Sequence, residues 1–430
     1  MERFDRRAFL KIGSITAFGF LSYGDVLRMR AQSPGKTPVK TKDISVIHIL
    51  LGGGMSHVDT FDLKPAANPS YRSIFKPIST KVPGLQVCEH LSLTAQQANK
   101  YCVIRSMTHK ASAHGAALAL MMTGHEFLPT VQSPSLGSVI TKELGPRNEL
   151  PAYVAIPAAN GNYARGGFLG PRFNPFNAGN PNVAKYAVRD LDLPMGVDWA
   201  RMEGRHSLLS LVDSKIRSWD TSDTFESLDS YYKTAFELMR SPQAKKAFNI
   251  AEEPEALREK YGRTTVGQGC LLARRLVEAG VRFITVGRGF NSWDHHNNIF
   301  PNLANDFLPE LDRAYSALLA DLSERGMLDS TLVLLTGEFG RTPEINVNAG
   351  RDHWPNCFSL CLAGACVPGG LVHGASDKDG MFVKDGPVEV PDFVATLYHK
   401  LGIDYSKEYI SNIGRPMKLA GDGKPLSFLG

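Results

Sequence analysis

The chain is 430 residues long, 43% hydrophobic and 21% charged, which is enough for a large core in one α/β domain or in two smaller ones. Its formal net charge is +5, and Arg6, Arg7, Lys11, Arg28 and Arg30 supply part of that excess from the first 31 residues. The remainder is close to neutral, which argues against a nucleic-acid or anionic-membrane partner.

The chain opens on Asp5-Arg6-Arg7-Ala8-Phe9-Leu10-Lys11, followed by a weakly apolar run from Ile12 to Gly24. A paired arginine ahead of Phe-Leu-Lys and an apolar run is the order of a twin-arginine signal. Gly13, Gly19 and Gly24 break the run, whereas a membrane-spanning helix needs about 20 apolar residues. Residues 1–31 are therefore expected to be a removable signal ending at Ala31, with no transmembrane span. This expectation makes the twin-arginine translocase a partner during export and the periplasm or the cell exterior the destination. Six cysteines would be free to pair there. Cys102, Cys270, Cys357 and Cys361 instead sit in apolar runs and read as small buried hydrophobes, and no CxxC pair marks a zinc site.

In chain order, residues 44–51 form a β-branched apolar run ending at Gly52-Gly53-Gly54, as a buried strand meeting a tight loop would. A second strand is expected at 101–105, with a helix at 114–122. Residues 151–200, rich in Gly, Pro and Asn, read as an irregular insertion over one end of a sheet, and 205–260 return to helical character. Helices at 264–279 and 303–326 alternate with strands at 281–286 and 331–336. Short apolar strands alternating with longer helices imply an α/β fold in which helices cover both faces of a parallel sheet.

Ligands of such sheets bind beyond the carboxyl ends of the strands, so polar residues there carry most weight. After the first strand come His57 and Asp59, and after the second His109, Ser112 and His114. Asp294, His295 and His296 follow the strand at 281–286; Glu338, Asp352 and His353 follow the strand at 331–336. Mixed imidazole and carboxylate sets suit a transition metal, in one or two ions, and the alternative is acid/base catalysis by His and carboxylate pairs alone. An Asx-turn or helix cap explains Asp59 equally well, and His48 and His125 read as structural. Arg341 and Arg351 are candidates to hold an anionic substrate. The Gly52-Gly53-Gly54 turn lacks the Lys-Ser/Thr of a P-loop and the GxGxxG spacing of a dinucleotide fold.

Several motifs, taken together and in order, resemble the domain-of-unknown-function family 1501. They are the twin-arginine start, Leu50-Leu51-Gly52-Gly53-Gly54-Met55-Ser56-His57-Val58-Asp59-Thr60-Phe61-Asp62, Ala273-Arg274-Arg275-Leu276-Val277-Glu278-Ala279-Gly280-Val281-Arg282-Phe283 and Trp293-Asp294-His295-His296. Gly337-Glu338-Phe339-Gly340-Arg341-Thr342-Pro343 and Gly350-Arg351-Asp352-His353-Trp354-Pro355 complete the set. That family is similar in turn to the alkaline phosphatase and sulfatase superfamily. The resemblance implies a three-layer α/β/α fold with a mostly parallel, doubly wound sheet, in a single domain over residues 43–425. It also implies a divalent metal (zinc, manganese, calcium and magnesium are not distinguished), with Asp59, Asp294, His296, Glu338 and His353 in the ligand positions.

Two departures from the superfamily bear on mechanism. Met121-Met122-Thr123-Gly124 resembles the end of the sulfatase nucleophile motif, yet the nucleophile's spacing falls on His114. Phe339 stands where many superfamily members have His. The implied function is an exported, metal-dependent hydrolase of a sulfate or phosphate ester, with a small molecule or carbohydrate as the ester. Ser112 or metal-activated water would be the nucleophile and His114 the acid/base. The alternatives are a non-catalytic binding or assembly protein that retains the fold, and a metal enzyme of different chemistry.

Overall fold

The computed structural model describes residues 43–429 except Asn160, 189–190, 192–195, His206 and 208–235. The expected export signal at 1–31 and much of the expected helical stretch at 205–260 lie outside the described residues. The strands of the main sheet are β1 (Ser45–Leu50), β2 (Tyr101–Thr108), β3 (Tyr153–Ile156), β4 (Phe176–Asn177), β5 (Phe283–Gly287), β6 (Thr331–Thr336), β7 (Phe358–Ala363), β8 (Val372–His373) and β9 (Val388–Glu389). The principal helices are α1 (His114–Thr123), α2 (Leu136–Leu144), α3 (Thr265–Glu278), α4 (Leu308–Glu324) and α5 (Val390–Lys400).

Spatial order across the sheet is β8-β2-β7-β6-β1-β5-β3-β4, with β9 also paired to β2. Every pairing is parallel except the two made by β7. The alternation of side chains along each strand divides the core into two layers. Ile47, Ile49, Val103, Ile284, Val333 and Leu335 face α3 and α4. Val46, Ile104, Phe283, Leu332 and Leu334 face α1, α2 and α5. The architecture is the expected three-layer α/β/α sandwich with a mostly parallel sheet. Among the described residues no helix is long and apolar enough to cross a membrane.

Two expectations need amendment. The stretch 151–200 is not irregular throughout, because β3 and β4 extend the sheet edge from within it. The segment Tyr153–Ile156 is short and followed by Pro157, so only its pairing with β5, 130 residues further on, makes it a strand. The expected helix at 303–326 begins as a π-helical stretch, Leu303–Phe307, before α4. Pro309 in the first turn of α4 lacks an N–H, and the wider turn before it accommodates the missing bond.

The antiparallel direction of β7 matters for the site. Its amino end lies at the same sheet edge as the carboxyl ends of β1, β2, β5 and β6. Residues just ahead of β7 therefore join the residues that follow the other four strands.

His48 sits inside β1, 2% exposed, with Nε2 2.7 Å from Thr336 Oγ1 and its ring edge-on to Phe283. Burial pushes its pKa down to about 4. The unfolded imidazole takes a proton near pH 6.5 while the folded one resists until about pH 4, so the stabilising difference is complete above 6.5 and lost as pH falls toward 4. The loss is about 3 kcal/mol over that window. Urea unfolding of the wild type and His48→Gln at pH 6.5 and 4.5 should show a smaller acid-side loss in the variant; equal losses would remove His48 as the cause.

Candidate metal centre

The loops after β1, β5 and β6 close on one another because Gly53 and Gly54 leave room. Both have positive φ (+111° and +89°), and a Cβ at Gly53 would stand 2.5 Å from the Asp294 amide nitrogen. A Cβ at Gly54 would stand 2.6 Å from the Phe339 ring. The Gly53 amide donates to both oxygens of Glu338, at 2.8 and 3.0 Å, while the Gly53 and Gly54 carbonyls accept from Arg341.

Three imidazoles converge on Asp294 within this frame. His114, the first residue of α1, donates from Nδ1 to Glu338 Oε1 at 2.7 Å. His296 donates from Nδ1 to Asp352 Oδ1 at 2.6 Å, and His353 from Nδ1 to the Ser112 carbonyl at 2.7 Å. Each Nδ1 thus faces a group that accepts, so in a neutral imidazole each Nε2 keeps its lone pair. The three Nε2 atoms meet around one carboxylate: that of His114 is 3.1 Å from Asp294 Oδ2, and those of His296 and His353 are 3.0 and 3.2 Å from Asp294 Oδ1. The His296 and His353 nitrogens are 3.0 Å apart, and His114 Nε2 is buried without a well-directed hydrogen bond.

Facing lone pairs repel, so this arrangement calls for a cation. Ligand atoms of His114, Asp294 and His353 lie within 4.8 Å of one another, and His296 Nε2 stands 3.0 Å from both Asp294 and His353. Three nitrogens and one carboxylate are a donor set suited to a transition-metal ion. The hydrogen bond behind each imidazole is what fixes the tautomer in such centres. The four side chains keep 15–41% exposure, so the cluster is reachable from solvent.

The local charges favour an ionised Asp294 and a neutral His353, whereas at His114 a metal ion would compete with a proton. Burial works against ionisation of Asp294, but Arg341 and then His114 outweigh it and push the pKa down to about 2. Burial also opposes charge on His114, yet Glu338 and Asp294 raise its pKa overall. Burial and then the Arg341 charge lower the pKa of His353, which favours its neutral imidazole. The hydrogen bond from His296 lowers Asp352.

The remaining candidates fall elsewhere. Neighbouring residues in the Asp294-His295-His296 loop point opposite ways: His295 is 7% exposed with its ring edge-on to Phe307 at 4.5 Å, away from the cluster. Both oxygens of Asp59 are gripped by Arg351, at 2.8 and 3.1 Å, and Ser56 donates to one of them. Asp59 and Arg351 are fully buried in that pair, which sets Asp59 apart from the ligands and Arg351 apart from any substrate. Arg341 is fully buried as well, holding Asp294 and backbone carbonyls. His57 is buried with Nε2 donating to the Gly380 carbonyl at 2.8 Å. Glu338 and Asp352 stand behind imidazoles rather than beside their Nε2 atoms. Ser112 is exposed and takes part through its carbonyl.

One contributor carries no polar signal that sequence reasoning could use. Phe339, 1% exposed, stacks on His353 with ring centroids 4.5 Å apart and lies 5.1 Å from His114.

Replacing His296 by Ala should abolish tight zinc binding, whereas His295→Leu should leave it within a few-fold of wild type. Glu338→Gln should weaken it by roughly 10–100-fold through loss of imidazole orientation. Competition against a chromophoric chelator measures all three, and equal affinities in the His295 and His296 variants would refute this assignment.

No curated protein matches the chain. Solved structures similar to it include a sulfatase from Pseudoalteromonas sp., at 12% identity over 84% of this chain and 68% of that one, with a TM-score of 0.38. A phosphonate monoester hydrolase from Silicibacter pomeroyi matches at 12% identity over 90% of this chain and 76% of that one, with a TM-score of 0.34. The alkaline phosphatase of the Antarctic bacterium TAB5 matches at 12% identity over 84% of this chain and 99% of that one, again with a TM-score of 0.34. The family model described as "Protein of unknown function (DUF1501)" matches residues 43–429, and the chain belongs to that family.

Proposed function

We propose that this protein is an exported, metal-dependent hydrolase of sulfate or phosphate esters. The observation that carries the reading is the convergence of three Nε2 atoms and the Asp294 carboxylate, with every Nδ1 tied back to an acceptor. A divalent ion held by His114, Asp294, His296 and His353 would supply Lewis acidity and a water nucleophile near neutral pH.

The protein's own groups divide the remaining work. Arg341 fixes Asp294, while Glu338, Asp352 and the Ser112 carbonyl fix the imidazoles. Ser112 finds no base among them, since the Nδ1 atoms of the three ligand histidines are engaged. Nearby His109 has Nε2 donating to the Glu338 carbonyl and Nδ1 accepting from the Ala111 amide. Water rather than Ser112 is therefore the nucleophile in this reading. Recognition of an anion also shifts, because Arg341 and Arg351 are buried and their donors engaged. The first turn of α1 begins at the ligand His114 and has no side-chain cap from Ala113, which leaves its amides and helix dipole as the proposed partners of anionic oxygens. The twin-arginine start supports export of the folded chain, and a sugar is the proposed bearer of the ester.

Aryl sulfate and aryl phosphate turnover by the metal-loaded protein tests the proposal. Asp294→Ala should lower it by about 100-fold or more, and Ser112→Ala should stay within about tenfold of wild type. Turnover of neither ester above the Asp294 variant, in protein holding stoichiometric metal, would turn the reading toward a binding role. Loss of turnover in Ser112→Ala comparable to that in Asp294→Ala would make Ser112 the nucleophile.

A further inference from the structure

The geometry points to a centre that holds one metal ion and no more, because Arg341 occupies the place a second cation would take. This inference rests on the metal reading above and adds to it the number of ions and the residue that sets it.

The surroundings of the Arg341 guanidinium are those of a hard cation. Nη2 donates to Asp294 Oδ1 at 2.5 Å and to the Gly53 carbonyl, Nε to the Gly54 carbonyl at 3.2 Å, and Nη1 to the Arg351 carbonyl at 3.1 Å. One carboxylate and three backbone carbonyls form an all-oxygen set of the kind that calcium or magnesium takes. The side chain is fully buried, so no solvent shell competes for those oxygens.

Charge points the same way. Asp294, Glu338 and Asp352 bring three negative charges to the cluster and its supporting contacts, and Arg341 returns one. A single divalent ion brings the sum to zero. A second would leave two positive charges uncompensated beside groups that are fully buried, Glu338 and Arg341, where such an excess is costly.

Buried free ligands for a second ion are also missing among the groups described around the cluster. Glu338 is held by the Gly53 amide and His114, and Asp59 by Arg351 and Ser56, while Asp352 has its Oδ1 engaged by His296 and Asn346 and its side chain 53% exposed at the rim. Phe339 closes the flank beside His114 and His353 with an apolar ring.

Arg341 is thus a positioning residue with two effects. It fixes one oxygen of Asp294 by a directed hydrogen bond, and it keeps a second cation out by charge and by volume.

The test is stoichiometry, which does not depend on knowing the substrate. Full-length protein stripped with a chelator is titrated calorimetrically with zinc, and the zinc-loaded protein is then titrated with calcium, with elemental analysis as a check. Wild type should take one zinc and no calcium. Arg341→Lys, which keeps the charge, should behave the same. Arg341→Ala should take one zinc and one calcium once circular dichroism shows it folded. A second ion in wild type or in Arg341→Lys overturns the inference whether or not the Ala variant folds. So does a folded Arg341→Ala that takes no second ion. Zero zinc in wild type would sink the metal reading itself, an outcome distinct from a count of two.

Discussion

Arg341 reaches three loops from one buried guanidinium: the glycine turn after β1 through two carbonyls, the loop after β5 through Asp294, and its own loop after β6 through the Arg351 carbonyl. Each loop leaves a different strand, and only a side chain with donors fanned in one plane ties all three at once. The placement of Asp294 depends on this tie, and the three imidazoles are arranged around Asp294. Lysine would bring the charge without the fan of donors. Two of these loops, those after β1 and β6, are bound a second time by the pair of Arg351 with Asp59, so the carboxyl edge of the sheet is clamped at two depths.

Those two arginines show how burial alters the meaning of a charged residue. Both look like anion binders when only their position in a loop is known. Arg351 instead satisfies Asp59 with two hydrogen bonds and reaches carbonyls of Tyr71 and Thr342. A charge this deep is tolerated because every donor has an acceptor, and removing either partner would leave the other buried and uncompensated. The neighbouring residues Asp352 and His353 escape that fate because they lie at the rim, where Asp352 orients His296 and His353 turns its Nε2 to the cluster.

Much of the fold was legible in the sequence. The apolar runs at 44–51, 281–286 and 331–336 became β1, β5 and β6, and strand-then-helix alternation implied the layered sheet. The edge strands β3 and β4 were not legible, since segments so short owe their conformation to distant partners. At the site, residue type and strand-end position brought forward His114, Asp294, His296 and His353. They did not separate His296 from His295, because adjacent residues in a loop share a sequence context yet face opposite ways. Nor did they identify Glu338 and Asp352 as supports rather than ligands, a distinction that rests on which imidazole atom each one meets. Phe339 was noticed only as a departure from a resemblance, and its stacking role is a matter of packing that no polar pattern announces.

The position of β1 has a consequence for how the chain is made. This first strand pairs Val46 with Phe283 on one side and Ser45 with Thr331 on the other. Both partners are encoded more than two hundred residues later, so an apolar segment emerges from the ribosome long before either neighbour exists. At about 5–20 residues per second, the wait for β6 is on the order of 15–60 seconds. Over that interval both edges of β1 are open to other nascent chains, and loop closure across so long a span is slow even once synthesis ends. The central strand of the sheet is thus also a segment that stays open to aggregation while the rest of the chain is made.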